Sequence, residues 1–430
     1  MKIKHILLKN FKCFELLELQ LDECFNVIIG DNATGKTSIL DAIAFALGTF
    51  FIGVRKVTGD SAMDIRTLRQ QDKRKVLTEN ALHYQLPFNV TLCHTLQEKE
   101  YCWSRSTDKI AGGATTYKDA NAMIKHVERL CKNIYEADDK TTLPLIAYYG
   151  TARLFSDKTP RSRTSRATAR TEGYAAALDP DTLRERFVSW FAEYEDSILK
   201  FGREKSLYLA FVNTITTLVP DWEKIHYSWA HNAILGRMAD DVWTSFDMLS
   251  SGYRSIVRLA ADIAYRAIKL NPHLRENAVL HTEGVVLVDE LDMHLHPSWQ
   301  RDIVQLLKDA FPRIQFIVTT HSPFIIQSMQ SHELVKLAGS GVESTSINLN
   351  MKGLEDIVAD EMDIGDVRRS KKFLEYQRLA ALYFSLLNRD GAAGEQVKII
   401  KHRLDDIEVE FIDNPVLAYL LTTERKLKGL

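Results

Sequence analysis

Gly30, Gly35, Lys36 and Thr37 fill the fixed places of G-x-x-x-x-G-K-[ST], the spacing at which a glycine-bounded loop cradles phosphate. Loop amides at a helix N-terminus and a lysine neutralise phosphate charge, and the hydroxyl that follows can reach Mg²⁺. Asn32, Gly35, Lys36, Thr37 and Ser38 are therefore the candidate nucleotide-binding residues, with Thr37 also a candidate metal ligand. The setting fits: in residues 25–48, FNVIIGDNATGKTSILDAIAFALG, the run Val27, Ile28, Ile29 predicts a buried strand before the loop. Ile39, Leu40, Ile43, Ala46 and Leu47 then share one helical face, and Gly48 is expected to end that helix. The chain is expected to bind a nucleoside triphosphate.

Three later stretches add chemistry. Residues 285–288 form an apolar strand that delivers Asp289 and Glu290 at its carboxyl end, where open α/β sheets place ligands. After a phosphate loop such a pair reads as a Walker B motif, with Asp289 placed to hold Mg²⁺ and Glu290 to polarise the attacking water. A second apolar strand, residues 314–318, leads to Thr319, Thr320 and His321, and His321 is a candidate contact to the γ-phosphate or the lytic water. Upstream, Leu249, Ser250, Ser251, Gly252 and Tyr253 precede a helix carrying Ile256, Val257, Leu259, Ala260 and Ile263. That start reads as an anion-binding terminus or as a simple N-cap by Ser250 or Ser251. His294 and His296 have no third ligand near them in sequence and read as part of a turn rather than a metal site.

The chain that must position these groups has 430 residues, 45% hydrophobic and 26% charged, enough for one large core or two moderate ones. A formal net charge of -2 argues against a surface uniformly basic for nucleic acid. The weakly polar run 42–54 is shorter than the roughly 20 residues a membrane-spanning helix needs. Lys9, Lys12, Glu15 and Glu18 interrupt the amino-terminal apolar residues, so no signal peptide is expected, and a cytoplasmic location with no membrane partner is. Cys13, Cys24, Cys93, Cys102 and Cys131 lack paired spacing and are expected to be ordinary buried thiols.

Alternation over residues 1–30 suggests an antiparallel meander leading into the phosphate-loop strand, with further strands expected in 85–105 and 143–149. From Asp179, with Pro180 near the start, Leu183, Phe187, Trp190, Phe191, Tyr194 and Ile198 form a helical stripe, and a second helix over 206–219 stops at Pro220. A helix is expected over 297–310, with Trp299, Ile303, Leu306, Leu307 and Ala310 facing one way. Beyond about Gly353, Phe373, Tyr376, Leu379, Tyr383 and Leu386 recur at helical spacing, broken near Gly391 and Gly394. An α/β core with a helical insert and a helical carboxyl end follows.

In order, the phosphate loop, LSSGY, LVDELDMHLHP and TTHSP make the chain resemble the ABC-type P-loop ATPases of the group containing Rad50, SMC proteins, RecF and OLD-family nucleases, over about residues 1–330. The resemblance implies an ABC-type head with an N-terminal β-meander. It divides the chain into an N-terminal ATPase lobe (1–178), a helical insert (179–240), a C-terminal lobe with signature, Walker B and switch histidine (241–345) and a helical partner-binding region (346–430). It also implies ATP and Mg²⁺ as cofactors, and a homo-oligomer in which Ser250 and Gly252 contact nucleotide held by a second copy. Tyr253 and Ser251 depart from the customary signature, and Tyr149 and Gly150 stand where a Q-loop glutamine is expected.

The insert is too short for the coiled-coil arms of Rad50 and SMC proteins, and residues 330–430 lack the D-x-D of an OLD-type nuclease module, so no intrinsic nuclease is expected. The remaining resemblance is to the Septu antiphage-defence ATPases (PtuA) and their retron-associated relatives, carried also by LPLIAYYGTARLF at 143–155 and FIDNPVLAYLL at 411–421. It implies a sensor or regulator holding an HNH nuclease subunit (PtuB-like); the rivals are a RecF-like repair ATPase and a nucleotide-gated scaffold with negligible turnover. Arg153, Lys158, Arg161, Arg163, Arg166 and Arg170 sit among Ser and Thr with only Asp157 opposing them. That run reads either as a solvated loop or as a surface for nucleic acid, a nuclease partner or nucleotide phosphates.

Overall fold

A computed structural model describes residues 1–59, 65–79, 81–110, 112–136, 140–154, 170–180, 186–202, 204–219, 221–238, 240–338, 341–343, 349–362, 375, 378–379, 381–383, 385–386 and 395–408. Contacts divide the chain into two compact units, Met1–Ile357 and Val358–Leu430.

In the first unit, β1 (Lys2–Phe11) and β2 (Phe14–Gln20) form an antiparallel hairpin. The chain then crosses to a different sheet as β3 (Phe25–Ile29), whose five residues are all buried, and enters α1 (Lys36–Thr58). After the small β4 (Lys75–Leu77) and β5 (Leu82–Tyr84) hairpin, β6 (Phe88–Leu96) and β7 (Lys99–Thr107) complete the first sheet in the order β2-β1-β6-β7. Next come α2 (Asn121–Tyr135), β8 (Leu145–Tyr149), α3 (Arg186–Phe201) and α4 (Ser206–Leu218). Three short strands, β9 (Lys224–Ser228), β10 (Ala233–Arg237) and β11 (Trp243–Ser245), form a separate antiparallel sheet that periodicity did not announce. Then follow α5 (Ser251–Leu270), α6 (Ala278–His281), β12 (Gly284–Val288), α7 (Pro297–Ala310), β13 (Ile314–Thr319), α8 (Pro323–Gln327), β14 (Leu334–Ala338) and β15 (Gly341–Glu343).

The central sheet runs β15-β14-β3-β13-β12-β8, and all its pairs but β14–β15 are parallel. Strands β3, β8, β12 and β13 are buried throughout, as a parallel sheet covered on both faces requires. Helix α1 touches β1 and β6 on one side and β12 and β13 on the other, and the Phe45 ring meets Phe88 edge-on at 5.6 Å. This 23-residue helix is long and apolar enough to cross a bilayer, yet 78% of its apolar window is buried inside the fold.

Gly48 does not end α1, contrary to expectation; the helix runs on to a left-handed C-cap at Gly59. A Cβ at Gly48 would lie 2.0 Å from the Ile65 carbonyl oxygen, and one at Gly53 would lie 2.8 Å from Cβ of Val127. Both glycines admit a close neighbour rather than break the helix. Nor are the five cysteines all buried thiols, as expected from their spacing. Cys93 and Cys102 are register partners on β6 and β7 and are disulfide-bonded, Cys13 and Cys24 are exposed, and only Cys131 is a buried thiol.

Beside that disulfide, His94 is buried with Nδ1 donating to the Thr95 carbonyl and Nε2 unpartnered, its ring T-shaped on Trp103 at 4.9 Å. Burial pulls its pKa down to about 4. The unfolded chain binds that proton near pH 6.5, so the contribution is full above pH 6.5 and is lost as pH falls to about 4, a loss of roughly 3 kcal/mol. Urea unfolding at pH 7 and pH 4.5 should show His94→Phe losing that share of the acid sensitivity; an unchanged slope would place it elsewhere.

Within the second unit, residues 378–379, 381–383 and 385–386 are helical, with Tyr383 and Leu386 buried, and Glu395–Glu408 is a helix. Phe373, Tyr376, Gly391, Gly394 and residues 411–421 lie outside the described residues, as do Leu183 and Pro220 in the first unit.

Candidate functional site

The loop between β3 and α1 turns on residues with positive φ: Gly30 at 149°, Ala33 at 67° and Gly35 at 100°. At Gly35 a Cβ would collide with Cys13 Sγ and the Phe14 ring, both 2.5 Å away, so the β1–β2 turn seats directly on the phosphate loop. Lys36 is buried and its Nζ donates to the carbonyls of Gly30 and Asp31, each at 2.8 Å. Desolvation lowers its pKa despite the opposing pull of Asp289, Asp31, Glu290 and Asp292. Asn32 and Thr37 are exposed and Ser38 half-buried, so the loop presents polar groups to an approaching anion.

Two hundred and fifty-two residues later in sequence, Asp289 meets this loop: Thr37 Oγ1 donates to its Oδ2 at 2.9 Å and lies 3.1 Å from Oδ1. The meeting is set by strand order, because β3 and β12 flank β13 and all three run parallel. Asp289 is buried and its amide donates to the Tyr149 carbonyl at 2.8 Å. Glu290, half-buried, has a left-handed φ of 49° that turns the chain off the strand end. His321 is half-buried just past β13, and its amide donates to Asp292 Oδ1 at 3.2 Å.

Sequence reasoning passed over Thr319, Asp292 and Asp41. Thr319 Oγ1 donates to Asp289 Oδ1 at 2.6 Å and accepts from the Glu290 amide at 2.7 Å. Asp292 also accepts from Thr320 Oγ1 at 2.5 Å, tying the switch-histidine segment to the Walker B turn. One turn beyond Thr37, Asp41 pairs with Lys12 and Arg66 and accepts from the Tyr148 hydroxyl at 3.2 Å. Hydroxyls and carboxylates at strand ends were the available signal, but their partners are distant in the chain.

Ser250 caps α5, accepting from the Tyr253 amide at 3.4 Å. Gly252 is buried against the β12–α7 turn, where a Cβ would lie 2.3 Å from the His294 carbonyl oxygen. Tyr253 packs on Trp299 with ring centroids 4.0 Å apart, and its pKa is pushed up to about 12 by burial and by Asp221. No hydrogen bond among the described residues joins Ser250 or Gly252 to Lys36, Thr37 or Asp289. His294 takes the left-handed turn at φ 64°, and His296 caps α7 by accepting from the Ser298 amide at 3.3 Å, which accounts for both.

Tyr149, where a glutamine was expected, donates its hydroxyl to Asp262 Oδ2 at 2.7 Å, and Arg266 Nε pairs with the same oxygen at 2.7 Å. Lys158, Arg161, Arg163 and Arg166 lie outside the described residues. Arg170 does not belong to a solvated run: it is buried, donating to the carbonyls of Leu270 and Thr141.

Lys36, Thr37 and Asp289 thus form one cluster, with Glu290 and His321 on the adjoining strand ends. A hydroxyl and a carboxylate, hard oxygen donors, suit Mg²⁺. Residues 2–344 match the RecF/RecN/SMC N-terminal domain family. Retron Vc95 probable ATPase of Vibrio cholerae is 26% identical over 77% of this chain and 73% of its own length. Retron Ec83 probable ATPase of Escherichia coli is 25% identical over 78% of this chain and 71% of its own. Septu protein PtuA of Bacillus mycoides is 32% identical over 45% of this chain and 24% of its own.

Proposed function

This chain belongs to the RecF/RecN/SMC N-terminal domain family, and from that premise we propose that it is an ATPase that regulates a nuclease in antiphage defence. The observation that carries the ATPase reading is the meeting of Thr37 with Asp289 at the mouth of the phosphate loop. Asn32, Gly35, Lys36 and Ser38 bind the phosphates, Lys36 exchanging its two loop carbonyls for phosphate oxygens. Thr37 and Asp289 would hold Mg²⁺, which would supply positive charge to offset that of the phosphates. Glu290 takes a proton from the water that attacks the γ-phosphorus, the bond from that phosphorus to the β–γ bridging oxygen breaks so that ADP leaves, and His321 donates to the γ-phosphate.

Ser250, the N-cap of α5, and Gly252, seated against the β12–α7 turn of its own chain, contact nucleotide held by a second copy, so two chains enclose two ATP molecules. Residues 1–178 and 241–345 form the two ATPase lobes, 179–240 the insert, which carries β9 and β10 as well as helices, and 346–430 hold the nuclease subunit of the HNH class. Likeness to proteins named retron ATPase and Septu PtuA supports the defence role. In light scattering, Glu290→Gln with ATP and Mg²⁺ should form a dimer that Ser250→Arg abolishes; a monomer under both conditions would overturn the composite site. Retention of an HNH subunit by the full chain tests the partner. ATP-dependent capture of gapped DNA by the chain alone would instead favour a RecF-like role.

A further inference from the structure

Parallel register pairs Val288 with Val318, so Thr319 is carried alongside Asp289 as both strands end. Thr319 is 0% exposed, and its hydroxyl has a single proton to assign. The Glu290 amide can only donate, so the hydroxyl accepts from it and is left to give its own proton to Asp289 Oδ1. Its own carbonyl accepts from the Leu291 amide at 2.9 Å. The chain on both sides of the Glu290 α-carbon therefore hangs from one residue. A glutamate at φ 49° is an uncommon backbone state that persists only where neighbouring contacts impose it.

We infer that Thr319 is a positioning residue that fixes the Asp289 carboxylate and the Glu290 backbone at once, coupling the metal ligand to the general base. Thr37 and Thr319 both donate to Asp289, so Thr319 keeps Oδ1 anchored when Thr37 turns to Mg²⁺. The inference rests on the ATPase reading for what is positioned, not for the contacts. Valine preserves size and β-branching at the strand end but can neither accept nor donate, whereas serine can do both.

The test uses the full chain and its Thr319→Val and Thr319→Ser variants. Steady-state turnover gives kcat and KM, and equilibrium binding of a fluorescent ATP analogue is measured with and without Mg²⁺. Thr319→Val should lose about 10- to 100-fold in kcat, its Mg²⁺-dependent gain in nucleotide affinity should shrink, and KM for Mg²⁺–ATP should rise accordingly. Metal-free nucleotide affinity should hold, and Thr319→Ser should recover both properties. An unaltered kcat in Thr319→Val, a lowered melting temperature with kcat intact, or a serine variant as impaired as valine would overturn the inference. Should Thr319→Val fail to fold, Thr319→Cys, whose thiol is a weak donor, carries the same comparison. If the wild-type chain hydrolyses no ATP, the proposed function fails, and the Mg²⁺ dependence of binding still decides Thr319.

Discussion

Glu290→Gln should reduce ATP turnover by about 10²- to 10⁴-fold, the span that a positioned general base contributes. Glutamine keeps the size and the backbone amide that Thr319 holds, so the left-handed turn at φ 49° should survive. What is lost is the acceptor for the proton of the attacking water, which acts in the transition state rather than in nucleotide binding. ATP affinity should therefore stay near the wild-type value, and trapped nucleotide should lengthen the life of the dimer. Phosphate release and filter retention of labelled ATP, measured on one preparation, separate the two effects; full turnover in the variant would remove Glu290 from the base role.

The second large effect is expected at Lys36, where alanine should weaken ATP binding by about 10- to 100-fold. The ammonium is a charged donor worth roughly 1.5–3 kcal/mol per bond to a buried partner, and each 1.4 kcal/mol is tenfold in affinity. The fold itself should tolerate the change. Desolvation already lowers the Lys36 pKa, so removing the charge relieves a cost that offsets the two bonds to Gly30 and Asp31. Titration calorimetry should then show weak binding by a chain whose melting temperature has hardly moved. Lys36→Met keeps the apolar stem and separates lost charge from lost packing.

Much of this architecture is written locally. Pro297 at the first helical position and the stripe through Ile303, Leu307 and Ala310 set α7, which spans the residues expected of it. Continuous apolar runs announced β3, β8, β12 and β13 because a strand buried on both faces needs no polar alternation. The phosphate loop was legible because its glycines, lysine and threonine lie within eight residues of one another. Gly48 misled for a related reason: the helix-ending property of glycine is local, whereas its use here, admitting the Ile65 carbonyl, depends on a neighbour that only folding supplies.

Sequence alone therefore determined the phosphate loop, the strands that feed it and the acidic pair at a strand end, since these depend on residue type and short-range spacing. Tertiary structure decided which strand lies between β3 and β12, and hence that Thr37 reaches Asp289 and that Thr319 rather than some other hydroxyl holds Glu290. It also paired Cys93 with Cys102 and buried Arg170 against carbonyls 29 and 100 residues away. Periodicity reports which face of an element turns inward; which element it meets depends on closing long loops around a shared core.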